Sequence, residues 1–321
     1  MMRHEKTLLS IARNEGMFMV EWLAHHLAIG FDFILVGTND CDDATDALLD
    51  AAARHFPVER FDNEAPLDTL TIHQRGLKRG LAHQRIAGAE WVLVSDLDEF
   101  LHINDANGRL DRLDPLLAGA DALCLFWRLF GSGGLVEWPG GKVTEHFVYA
   151  ESEAGQQVGH KTLFRPDVFR AATPHCPKDP VKPREALRIV NTRGQPLETE
   201  TVCHPRGTVI RTEPTERTWD RAAIFHYHAK SEDCTLLKNM RADPNGRRLH
   251  RRRLNSDHYI KMNRNDVHVT DIARTAPLRN AMIARMLAVP AIREAHEDSV
   301  NWFATARETL LTPDRRALWT A

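Results

Sequence analysis

Three carboxylates fall within four residues in Ser95-Asp96-Leu97-Asp98-Glu99-Phe100. They follow directly on an apolar run, residues 91–95 (WVLVS). Side chains alternate along an extended chain, which puts Asp96 and Asp98 on one side. The pair then offers two hard oxygen donors of the kind that hold Mg2+ or Mn2+ against the phosphates of a nucleotide. A cation there neutralises charge building on a departing diphosphate. An acidic loop capping the next segment is the plainer use of the same residues, and a bare Asp-x-Asp is common. Metal is favoured by position, because the pair ends the fourth strand of an alternating pattern.

That pattern begins at residues 7–12 (TLLSIA), a short apolar run with β-branched side chains that reads as a buried strand. Residues 13–16 (RNEG) break it. From 17 to 29, Met19, Val20, Trp22, Leu23 and Leu27 recur at helical spacing, and Gly30 is a helix stop. A second strand over 31–36 (FDFILV) leads into the turn 38–43 (TNDCDD). Asp43 or Thr45 caps a helix running to about His55. Residues 57–61 form a third strand, 67–87 a helix interrupted by Gly76 and Gly80, and 91–95 the fourth strand. Strands alternating with helices predict an α/β, Rossmann-like, mostly parallel sheet flanked by helices. Ligands of such sheets bind beyond the carboxyl ends of the strands. Chemistry is therefore expected at 13–16, at 38–43 and just after Val94.

Beyond residue 120 the pattern changes. Strands are expected at 122–127, 147–150, 162–165 and 223–227, with a flexible loop at 131–134 (GSGG). Residues 171–222 show little periodicity, and helices are expected at 230–240, 276–287 and 299–311. The division drawn is 1–120, an α/β half, 121–235, a mixed second half of the same domain, and 236–321, a helical C-terminal tail.

Composition removes several classes. Of 321 residues, 43% are hydrophobic, enough for a sizeable core, and 42 basic against 44 acidic side chains leave a charge of −2. A disordered chain, a collagen-like chain and a disulfide scaffold are excluded. The charge also argues against generic electrostatic adhesion to nucleic acid or membrane, though not against a local basic patch. No apolar run approaches the ~18–20 residues that span a bilayer. The N-terminal stretch lacks a secretory cleavage signature. Five scattered cysteines, Cys41, Cys124, Cys176, Cys203 and Cys234, fit free thiols in a reducing compartment. A cytoplasmic protein is expected, with peripheral contact at the inner membrane face left open.

Arg13-Asn14-Glu15, then EWLAHHLAIGFD, TNDCDDAT and WVLVSDLDEFL resemble, in that order, a bacterial glycosyltransferase of the family 2 type. Within it they resemble the DxD-containing subgroup whose first motif reads close to KNE…EWL-HH--LGFD. The resemblance covers residues 7–102 and continues more weakly through 130–134, 161–166 (KTLFRP) and 226–231 (HYHAKS). It implies a GT-A fold, with a nucleotide-sugar half followed by an acceptor half. The implied activity is inverting transfer of a sugar from a UDP- or GDP-sugar to a hydroxyl of a glycan or lipid-linked acceptor, in bacterial surface or capsular polysaccharide synthesis, with Mn2+ or Mg2+. By the same likeness Asn14 and Glu15 lie at the nucleotide pocket, Asp40 and Asp43 near the base or ribose, and Asp96 near the ribose and metal. Asp98 becomes the direct metal ligand, and His226 the late histidine that completes the metal shell. Asn14 and Asp40 serve equally well as turn formers. The chain departs from the family at Thr38, where an acid is usual, and at Leu135, where a histidine is.

His226 and His228 share one side of an extended segment, and a core histidine is as good a reading of His226. Lys230 meets a diphosphate or simply starts a helix. An inverting transferase needs a general base, for which Glu137 and Asp179 are the candidates. Zinc at His175-Cys176 and Cys203-His204 is disfavoured, because no CxxC spacing is present. Arg247, Arg248, Arg251, Arg252 and Arg253 make a basic helical face open to solvent, donor phosphates or anionic lipid. Trp127, Trp138 and Trp219 offer sugar-stacking or core rings. Two rivals stand beside the transferase: a nucleotidyltransferase acting on sugar phosphates, and a non-catalytic nucleotide- or glycan-binding protein.

Overall fold

Burial on both faces selects the central strands. In a computed structural model, which describes residues 5–64, 70–154, 159–240 and 253–320, β1 (Lys6–Ala12), β2 (Phe33–Thr38) and β4 (Trp91–Val94) are buried almost throughout. Such runs are what parallel strands under two helical layers require. β3 (Val58–Asp62) sits at the edge and is more exposed. β5 (Glu99–Ile103), β6 (Ala122–Leu129), β7 (His160–Phe164) and β8 (Ala222–His226) continue the sheet. Its order is β3-β2-β1-β4-β7-β6-β8-β5. β3, β2, β1 and β4 are parallel, β7 runs antiparallel between β4 and β6, β6 and β8 are parallel, and β5 closes antiparallel to β8. The fold is thus the expected α/β one, and its sheet runs unbroken from the first half into the second.

α1 (Gly16–Ile29) is buried along its whole length. It ends as its sequence predicts, at Gly30 in the left-handed region (φ 117°), whose N–H reaches the carbonyls of His26 and Leu27. α2 (Thr45–Ala53) follows β2. α3 (Ile72–Ala82) starts in a capping box made by Thr71 and Gln74. It is shorter than the expected 67–87: residues 67–69 lie outside the described ones, and His83, with extended backbone, ends the helix. Gly80 does not interrupt it. A Cβ there would run into Leu9, so the glycine lets α3 lie close on β1.

α4 (Glu232–Leu237), α5 (Ala276–Leu287) and α6 (Pro290–Leu310) come from the last third. α5 and α6 pack on α1, and α6 also on α2 and α4. This is why α1 has no solvent face. Among the described residues no helix is long and apolar enough to cross a membrane. Of the arginine run, only Arg253 lies among the described residues.

Candidate active site

The acidic stretch is a turn, not an extended segment. β4 ends at Val94 and β5 begins at Glu99, and the Glu99 N–H closes back on the Asp96 carbonyl at 3.1 Å. The third carboxylate builds this turn. Glu99, with no exposed surface, accepts from the Asp96 N–H (2.8 Å) and the Ser95 hydroxyl (3.0 Å). The Lys161 ammonium on β7, equally buried, bridges Asp96 (2.8 Å) and Glu99 (3.1 Å). From α1, the Trp22 indole N–H donates to the carbonyls of Asp96 (3.1 Å) and Glu99 (2.9 Å). The neighbouring His25 and His26 hold β5 at Leu101.

The turn sends Asp96 and Asp98 to different partners. Asp96 goes to Lys161. Asp98 goes to β8, because the register pairs His226 with Glu99 and the Tyr227 N–H donates to the Asp98 carbonyl at 2.8 Å. His226 Nε2 lies 3.4 Å from Asp98 Oδ1, His228 Nδ1 3.9 Å from Oδ2, and Lys238 Nζ 2.9 Å from Oδ2. The donor atoms of Asp98, His226 and His228 all lie within 4.8 Å of one another. One carboxylate oxygen with two imidazole nitrogens is a donor set that a first-row transition ion such as Mn2+ accepts more readily than Mg2+, which prefers oxygen throughout. His258 Nε2 stands 3.1 Å behind His228 Nε2, where a ring nitrogen partner fixes tautomer and orientation.

Charge compensation decides the ionisation states. Burial works against the Asp98 anion, but Lys238 first and then His226 outweigh it and hold the carboxyl well below the usual range. Asp96 is likewise lowered, burial being overcome by Lys161. Glu99 is raised by burial, which Lys161 only partly offsets. Burial also opposes the Lys161 charge, yet Asp96 and Glu99 lift its pKa above the ordinary lysine value.

Beside Asp98 opens a cavity of about 220 Å³, lined by Asn14, Glu15, Phe18, His228, Lys230 and Lys238 and walled by Trp302 and Phe303 of α6. Lys230 is 1% exposed, sits 4.6 Å over the Phe18 ring, and has no hydrogen-bond partner for its ammonium among the described residues. Burial, then the charge of Lys238, push its pKa down to about 8.

The other expected residues fall into two groups. Asn14, in the left-handed region (φ 52°), accepts from the Asp42 N–H at 2.9 Å and so ties the first loop to the second while lining the cavity. Glu15 lines it too. Asp43 is buried and its carboxylate is used locally, by the N–H groups of Gly16 (2.9 Å) and Thr45 (3.0 Å), which join the starts of α1 and α2. Gly16 is required there, since a Cβ would overlap Ser299 of α6. Asp40 is exposed, 3.6 Å from Arg13. Glu137, 65% exposed, faces Arg307 at 3.7 Å. Asp179 is exposed at a left-handed position (φ 51°) in the hairpin formed by Phe169–Ala172 and Pro177–Pro180. Neither candidate base lines the cavity. Of the tryptophans, Trp127 stands at the site, its ring 4.3 Å from that of His226, whereas Trp138 packs on Phe18 and Phe147.

Lys161, Lys238, His258 and the α6 aromatics went unread in the sequence. A lysine gives no periodic signal when it is buried. The α6 contact joins residues far apart in the chain, for instance Ser299 to the Asp43 carbonyl 256 positions away.

Two curated plant proteins are similar to this chain. A glycosyltransferase family 92 protein of Oryza sativa subsp. japonica is 25% identical over 175 residues, 52% of this chain and 28% of its own length. One of Ricinus communis is 30% identical over 107 residues, 31% of this chain and 17% of its own. The chain therefore spans under a third of the curated relatives it matches. No family model matches it. Among solved structures, S. aureus TarS 1–349 in complex with UDP aligns over 95% of this chain and 91% of that one, at 10% identity and a TM-score of 0.35. Mannosyl-3-phosphoglycerate synthase from Rubrobacter xylanophilus aligns over 51% and 54%, at 18% identity and a TM-score of 0.29.

Proposed function

We propose that the protein is a Mn2+-dependent glycosyltransferase of GT-A type, moving a sugar from a UDP- or GDP-sugar to an acceptor hydroxyl with inversion. The observation that carries the reading is the meeting of Asp98, His226 and His228 at the carboxyl edge of the sheet, beside a cavity holding a buried lysine whose ammonium has no hydrogen-bond partner among the described residues. The similarity to family 92 glycosyltransferases supports sugar transfer independently. A glycan or lipid-linked hydroxyl is the acceptor class proposed.

Asp98, His226 and His228 would hold the cation, which supplies a Lewis acid against the diphosphate leaving group. Lys230 would take a phosphate oxygen, since a buried ammonium with no hydrogen-bond acceptor among the described residues gains most from an anion. Asp96 stays ionised on Lys161, and Glu99 keeps the turn rigid so that Asp98 does not drift from the two imidazoles. Asn14 and Glu15 border the same cavity and would meet the nucleotide. Trp127 presents a flat ring beside His226, a surface that suits the apolar face of a pyranose.

The test is release of nucleoside diphosphate from a panel of UDP- and GDP-sugars with Mn2+ or with EDTA. Turnover is expected with Mn2+ alone, and Asp98→Asn should reduce it by at least ~100-fold, beyond the loss seen when only an outer partner of a metal ligand is removed. Full turnover in EDTA refutes the metal role. Pyrophosphate release from a nucleoside triphosphate and a sugar phosphate marks a nucleotidyltransferase instead. Tight binding of donors that stay intact with every acceptor marks a binding protein.

A further inference from the structure

We propose that Lys238 is a built-in placeholder for the cation: its ammonium holds the charge of Asp98 and must leave that carboxylate for a divalent ion to bind there. This rests on reading Asp98, His226 and His228 as a cation site.

Lys238 Nζ lies 2.9 Å from Asp98 Oδ2, the same oxygen that His228 Nδ1 approaches at 3.9 Å, while His226 faces Oδ1. The ammonium thus sits on the carboxylate oxygen that His228 would share with a metal. Asp98 and Lys238 are each only 12% exposed. A carboxylate this enclosed needs a counter-charge at all times, and an ammonium on one of its oxygens repels a dication brought to the same carboxylate. Binding is therefore an exchange.

The lysine is placed to make that exchange. It stands in the turn Lys238–Met240 that follows α4, and it lines the cavity next to Lys230. A rotation of a flexible four-carbon side chain carries Nζ from Asp98 into the cavity. A diphosphate there offers it new oxygens, so the residue that yields Asp98 to the metal would become a second hand on the leaving group. Lys230 differs. It has no ion-pair partner among the described residues and no direct contact with Asp98 that it would have to give up.

The test is Mn2+ affinity of the full chain, read from the free-ion signal in electron paramagnetic resonance without nucleotide. Each variant is checked by its melting temperature. Lys238→Met is expected to bind Mn2+ roughly tenfold more tightly or better, the size expected for relief from one charge-assisted hydrogen bond. Lys238→Arg, which keeps the charge, stays near wild type. Lys230→Met tightens binding clearly less. Equal or weaker binding in Lys238→Met overturns the proposal. So does an equal gain in Lys230→Met, which would mean that loss of nearby charge suffices. Where Lys238→Met does not fold, Lys238→Gln takes its place with the same expectation. Asp98→Asn separates the two levels: unchanged Mn2+ binding in that variant defeats the cation site itself, whereas its loss, with no gain in Lys238→Met, defeats only the placeholder.

Discussion

Replacing Lys161 by methionine orphans two acids at once. Its ammonium, with no exposed surface, lies 2.8 Å from Asp96 and 3.1 Å from Glu99, and Glu99 is itself fully buried. Removing one partner of a buried ion pair costs about 3–5 kcal/mol. With an unfolding entropy of about 2.1 cal/mol/K per residue, or roughly 0.7 kcal/mol/K for this chain, Tm should fall by about 4–7 °C. Glu99 is already raised by burial, and loss of Lys161 raises it further. A carboxyl with an elevated folded-state pKa is most stabilising below its ordinary value, 4.5 for Glu99, and that stability disappears as pH rises through the folded value. The Lys161→Met penalty should therefore shrink as pH is lowered towards 4.5. Adding Glu99→Gln removes one orphaned charge and should recover part of the loss at pH 7. Calorimetry at pH 7 and pH 5 on the four proteins of the cycle reads these effects. A Lys161→Met protein that melts with wild type at pH 7 refutes the reasoning, and so does a penalty that grows on acidification.

Other consequences follow from the same contacts. Lys230→Met should raise or preserve Tm, because it deletes a buried charge with no hydrogen-bond partner among the described residues, yet weaken UDP or GDP binding by about tenfold or more; calorimetric titration with wild-type affinity would contradict it. His26 is fully buried with its pKa pushed by burial down to about 3. The fold requires it neutral, so stability present above its unfolded value near 6.5 should fall by about 3 kcal/mol between pH 6.5 and pH 4. Urea unfolding over that range measures the slope, which should flatten in His26→Gln. Gly16→Ala should cost about 1–3 kcal/mol through the clash with Ser299, and Gly16→Ala with Ser299→Gly should regain part of it.

The core of the fold was legible because apolar runs and helical spacing report burial directly. β1, β2, β4 and α1 lie within a few residues of where periodicity puts them, and Gly30 ends α1 through its left-handed backbone. Position at the strand ends likewise pointed to residues 13–16 and to Asp98, and the two-residue spacing of His226 and His228 put both on one side. Less legible was how three adjacent acids divide their work. The chain turns at 95–98, so Asp96 and Asp98 part company and Glu99 becomes the brace. That division is imposed by Lys161 on β7 and His226 on β8, both distant in sequence and brought in by strand order. The C-terminal helices were visible as helices, but not as the wall of a cavity, because nothing in an amphipathic pattern names the surface it will cover.

The most direct measurement of the central claim is diffraction at the manganese absorption edge from crystals soaked with Mn2+ and UDP. One anomalous peak bonded to Asp98 and to the imidazoles of His226 and His228, with the Lys238 ammonium moved off Asp98, is the result predicted. A clean map with no peak at that carboxylate, at Mn2+ concentrations that support turnover, contradicts it.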